Sequence, residues 1–150
     1  MHNRAVIALG NPLRGDDGIG QRILDELRER ELPSDVVLLD GGTGGFKLLH
    51  MLARVDDVVI VDAVRHGGAP GDHVFFTPDQ VTSRSLPGGM HDPALFEVLR
   101  LSGQLDERPA RVCIMGIEPA CTDMGEGLSP AVERQVGDMV DALLQKLWKW

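Results

Sequence analysis

The chain is poor in the features that mark several large functional classes. No apolar run approaches the roughly 18 residues of a membrane span, and Met1-His2-Asn3-Arg4 runs into a short strand pattern without an apolar region of signal-peptide length. A cytoplasmic protein is expected. Only two cysteines are present, Cys113 and Cys121, without a CxxC spacing. That excludes a disulfide framework and the commonest zinc knuckles. Cys113 falls inside an apolar strand pattern and is expected as a buried small hydrophobe, whereas Cys121 is expected in a loop. Positive charge is also scarce: the formal net charge is −8, which disfavours partners recognised through phosphate, whether nucleic acid or an anionic membrane. No HExxH helix, GxSxG elbow or GxxxxGK[ST] loop occurs. Internal repeats, low-complexity tracts and linkers are absent too.

What is present is an ordinary globular composition, 43% apolar and 25% charged over 150 residues, enough for one domain spanning 1–150. Ala5 to Leu9 has a strand pattern. Gly18 to Arg30 follows as a helix whose Ile19, Ile23, Leu24 and Leu27 share one face. Val36 to Leu39 is a second strand, Phe46, Leu48, Leu49 and Leu52 suggest a short helix, and Val58 to Val61 is a third strand. This alternation predicts a three-layer α/β/α fold around a mostly parallel five-stranded twisted sheet.

The turn at Gly67-Gly68-Ala69-Pro70-Gly71 leaves no room for a crossover helix, so the strand from His73 to Thr77 is expected to be antiparallel. A polar loop from Pro78 to Met90 is long enough to cross the sheet to its opposite edge. Asp92-Pro93 then opens a helix to about Ser102, Val112 to Ile117 is the fifth strand, and Ser129-Pro130 gives a cap and first-turn proline for a last helix to about Trp148.

Chemistry concentrates where this topology places the carboxyl ends of the strands, the usual ligand crevice of an open parallel sheet. The first strand runs into Gly10-Asn11-Pro12-Leu13-Arg14-Gly15-Asp16-Asp17-Gly18-Ile19-Gly20. A glycine-rich turn of this kind normally aims N–H groups at an anion, but two adjacent acids repel one, so the turn suits a cation or a basic group. Asp40 ends the second strand, Asp62 the third, and Glu118 follows the fifth. Asp16, Asp17 and Asp40 have everyday alternatives in helix capping and turns. Asp62 is harder to explain away, because Val58-Val59-Ile60-Val61 draws it into low dielectric. His91 opens the helix that feeds the fifth strand and is brought to the same edge. Asp17, Asp62 and His91 together make a mixed O,O,N set suited to a borderline divalent ion such as Ni²⁺, Zn²⁺ or Mn²⁺. Gly41-Gly42-Thr43-Gly44-Gly45 permits close approach of another backbone.

Taken in order, Gly10-Asn11, Asp16-Asp17-Gly18-Ile19-Gly20, Asp40-Gly41-Gly42-Thr43, Val61-Asp62-Ala63, Pro70-Gly71, His91 and Gly116-Ile117-Glu118-Pro119 resemble the hydrogenase maturation proteases over nearly the whole chain. The resemblance implies an endopeptidase that removes the C-terminal extension of a [NiFe]-hydrogenase large-subunit precursor after nickel insertion. It implies Asp17, Asp62 and His91 as metal ligands, the metal being the precursor's own nickel; some relatives carry glutamate at the first position. By the same resemblance Asp16 and Asp40 touch substrate or handle protons, and Gly41, Gly42 and Thr43 cradle the precursor's tail. Two schemes stay open: the metal polarises the scissile carbonyl, or nickel only docks the substrate. Two other classes also compete. A nickel-dependent docking or chaperone module would use the same residues without cleavage. A peptidyl-tRNA hydrolase-like esterase shares the Gly10-Asn11-Pro12 opening, but no histidine lies between His2 and His50 to serve it.

Overall fold

The computed structural model describes residues 3–82 and 109–150. The described strands are β1 (Arg4–Ala8), β2 (Val36–Asp40), β3 (Asp57–Ala63), β4 (His73–Phe76) and β5 (Arg111–Ile117), forming one sheet of order β2-β1-β3-β5-β4. β2, β1, β3 and β5 run parallel, and β4 is antiparallel to β5. The described helices are α1 (Ile19–Leu27), α2 (Phe46–Leu52), α3 (Pro78–Thr82), α4 (Pro130–Glu133) and α5 (Val136–Lys149), with a 3-10 turn at Gly15–Gly18.

The near-continuous apolar runs of β1, β3 and β5 follow from burial on both faces. Alternate residues go to opposite layers: Val6, Ala8, Val59, Val61, Cys113 and Met115 pack under α1 and α5, whereas Ala5, Ile7, Val58, Ile60 and Ile114 pack with Leu48 and Leu52 of α2. The apolar stripes of α1 (Ile19, Ile23, Leu24, Leu27) and α5 (Val136, Met139, Val140, Leu143, Leu147) are buried. Each such side chain contributes about 1.5–3 kcal/mol relative to exposure. At the amino edge Arg4 locks the last helix to the first strand, donating through Nη1 to the Leu147 carbonyl at 2.6 Å and through Nε and Nη2 to Asp35 at 2.7 and 2.9 Å.

The α/β/α layering and the antiparallel fourth strand match the sequence expectation, and β4 pairs with β5, which inserts between β3 and β4. Three details differ. The start of the expected polar loop is helical, as α3. The last helix is two helices, broken at Arg134–Gln135. Ser129 has the extended backbone of a cap, but its side chain makes no capping bond; its hydroxyl is engaged elsewhere. His91, the helix expected from Asp92 and the loop beyond Thr82 lie outside the described residues.

Candidate active site

The connections diverge between β1 and β3: from β1 the chain moves out to β2, then returns to β3 on the other side. The register aligns the strand ends there, pairing Ala8 with both Asp40 and Val61, and Asp62 with Gly116. Leu9 N–H donates to the Val61 carbonyl (2.9 Å), Gly41 N–H to Ala8 (2.7 Å) and Gly10 N–H to Gly42 (2.7 Å), which ties the loops after β1 and β2 to each other and to the end of β3.

Two glycines allow this closeness. Gly10, at φ +128°, lies against the Asp17 backbone, where a Cβ would sit 1.9 Å from the Asp17 carbonyl oxygen. Gly20 seats the first turn of α1 on the strand ends; a Cβ there would meet the carbonyls of Leu9 and Val61, each at 2.9 Å.

The structure brings Asp17, Asp62, Asp40 and the Gly41–Thr43 loop to this crevice. Asp62 is 1% exposed, and the 3-10 turn bearing Asp17 packs against its strand. Asp17 Oδ2 accepts the Asn11 N–H at 2.8 Å. Asp40 is exposed; its Oδ1 accepts from Gly42 N–H (2.8 Å) and from Gln21 Nε2 (3.2 Å), which also donates to the Gly10 carbonyl. Gly42 has open space where a side chain would stand. Among the described residues no cluster of three His, Cys, Asp or Glu could hold a metal. The described donors of the expected trio are the carboxylates Asp17 and Asp62, hard ligands that fit a divalent cation.

Asp16 and Glu118 differ from their neighbours. Asp16 is fully buried and faces inward: its Oδ2 accepts N–H groups of Ala120 and Cys121, both at 2.9 Å, and the Ser129 hydroxyl at 2.7 Å, while Oδ1 accepts Ser129 N–H at 2.7 Å. Burial alone would raise its pKa, but the bonds from Cys121, Ser129 and Ala120 outweigh burial and hold the carboxyl below its ordinary value. Glu118 spends Oε1 on three successive backbone donors, His66, Gly67 and Gly68, and so shapes the turn after β3. Sequence reasoning missed Ser129 as part of this framework. Its Ser-Pro context pointed to a cap, and the bond to Asp16 spans 113 positions.

A fold of this kind places a ligand crevice, lined here with acids, at the switch point, and comparison with known proteins specifies its class. Residues 21–146 match the hydrogenase maturation protease family model. The hydrogenase 2 maturation protease of Escherichia coli is 32% identical over 148 residues, covering 95% of this chain and 88% of that protein. The hydrogenase expression/formation protein HupD of Bradyrhizobium diazoefficiens is 30% identical over 149 residues, covering 97% and 78%. The solved structure of the E. coli hydrogenase maturating endopeptidase HybD superposes with a TM-score of 0.81 at 31% identity, covering 98% of this chain and 93% of that one. The chain belongs to the hydrogenase maturation protease family. It is an endopeptidase, a hydrolase acting in hydrogenase maturation.

Proposed function

We propose that this endopeptidase removes the C-terminal extension of a [NiFe]-hydrogenase large-subunit precursor, with Asp17, Asp62 and His91 reading the nickel already carried by that substrate. The observation that supports this most is Asp62, a carboxylate 1% exposed near the end of β3, the strand against which the turn bearing Asp17 packs. A carboxylate held at this depth by a central strand is a hard oxygen donor that suits a divalent cation.

In this reading the precursor's tail lies over Gly41, Gly42 and Thr43, where a backbone can come close. Asp40 is the proton carrier: Oδ1 is fixed by Gln21 and Gly42, and the exposed carboxylate faces solvent. As water adds to the scissile carbonyl, Asp40 accepts a water proton, and it returns that proton to the amine as the C–N bond breaks. Asp16 carries no proton here, since both of its oxygens are occupied by donors of its own chain. The test is intact mass of the large-subunit precursor encoded in the same genome, nickel-loaded and nickel-free, after incubation with this protein. Loss of a C-terminal peptide only from the loaded form is expected. An unchanged mass of a folded, nickel-loaded client would replace cleavage by docking. Charge argues against a tRNA substrate, and among the described residues no helix is long and apolar enough to cross a membrane.

A further inference from the structure

The geometry points to Asp16 as a positioning residue that aims the Asp17 carboxylate by tying the turn after β1 to the loop after β5; this rests on the reading of Asp17 given above.

Every group around Asp16 is a donor: three backbone N–H groups and one hydroxyl. Only an acceptor-only side chain satisfies all of them, and a carboxylate is the one of this size that does. Asparagine would turn an NH₂ toward one set of N–H groups. The tie is reciprocal and extended, because Asp16 N–H donates back to the Cys121 carbonyl (2.9 Å), Gly15 N–H to Gly125 (2.8 Å), and Gly125 N–H to Leu13 (2.8 Å). The segment from Leu13 to Asp16 is therefore held along its length by residues more than a hundred positions downstream.

Asp17 is the next residue: its N–H donates to the Arg14 carbonyl (3.1 Å) within the held segment, its Oδ2 accepts the Asn11 N–H, and Gly10 lies against its backbone. The carboxylate is thus clamped between the Asp16 framework and the Gly10-Asn11 turn. A shift of the 3-10 turn changes where Asp17 points and stretches the bond from Asn11, while the sheet itself stays intact.

The test uses Asp16→Asn and, because that variant can fail to fold, Ser129→Ala, which deletes one hydroxyl from the same framework. Processing of the nickel-loaded precursor is followed as kcat and KM separately, and the Asn11 amide is followed by NMR shift and hydrogen exchange without substrate. For Ser129→Ala we expect kcat to fall severalfold with KM within twofold, and faster exchange at Asn11. For a folded Asp16→Asn we expect at least a tenfold fall in kcat. If kcat tracks only the folded fraction and the Asn11 amide is unmoved, Asp16 is merely structural and the proposal is overturned. Asp62→Asn run alongside separates the two failures. If it still processes the precursor, the crevice reading fails, whereas a dead Asp62→Asn beside an unaffected Ser129→Ala and Asp16→Asn refutes positioning alone.

Discussion

Two helical glycines respond in opposite directions to the same substitution. At Gly20 an added Cβ would meet two carbonyl oxygens at 2.9 Å and the Ala8 Cβ at 3.1 Å, all part of the sheet's carboxyl edge. The first turn of α1 must then lift by a few tenths of an ångström. Overpacking of this kind costs about 1–3 kcal/mol, and the better helix propensity of alanine returns at most about 1 kcal/mol. A net loss of about 1–2 kcal/mol lowers the melting temperature of a chain this size by about 2–8 °C. Gly137, exposed in the first turn of α5, has nothing within 4 Å of a Cβ. Gly137→Ala should therefore stabilise, by up to about 1 kcal/mol. Thermal unfolding followed by circular dichroism reads both. Processing adds a second axis, because α1 begins two residues after Asp17: Gly20→Ala should lose at least about tenfold in kcat, since displacements below 1 Å matter at a reacting centre. A Gly20→Ala protein that melts at or above the parent would refute the seating of α1 on the strand ends.

Further outcomes follow from the same geometry. Asp62→Asn, nearly isosteric, should abolish processing while far-UV circular dichroism and melting stay close to the parent; retained cleavage in the mass assay removes Asp62 from the mechanism. Asp16 has a pKa lowered in the folded state, so its contribution to stability is complete above the unfolded value of about 4 and is lost as pH falls through the lower folded value. Urea titrations from pH 5 down to pH 2 should accordingly show a falling midpoint, and a folded Asp16→Asn should flatten that slope. Burial pushes the Cys113 thiol up, whereas Cys121 is exposed. An aromatic disulfide reagent at pH 8 should titrate one thiol in the native protein and two in denaturant; two fast native thiols would contradict the buried position of Cys113.

What could be read before the structure was local. Apolar runs bounded by glycine and acids marked β1, β2 and β3, and alternation with helical stripes implied a parallel sheet whose carboxyl edge would gather Asp17, Asp40 and Asp62. The pairing of β4 was not local: its direction followed from the short turn after β3, but its partner depends on β5 entering between them. The break in the final helix at Arg134–Gln135 had no proline or glycine to announce it. Asp16 and Asp17 look alike in sequence, and what separates them is a set of N–H groups at 120, 121 and 129 that no local pattern links to position 16. Asp16 therefore looked like a candidate proton carrier until its partners were seen.

The ties from residues 120–129 back to position 16 also set an order of events during synthesis. A ribosome that has released only the first hundred residues has delivered β1, β2 and β3 with their acids, but β4 waits at the edge without the strand that will separate it from β3. Asp16 at that stage has none of its four donors. Closing loops of this length is slow relative to local helix formation. The turn after β1 thus gains its anchor only after Ser129 has emerged, from residues more than a hundred positions downstream of Asp16.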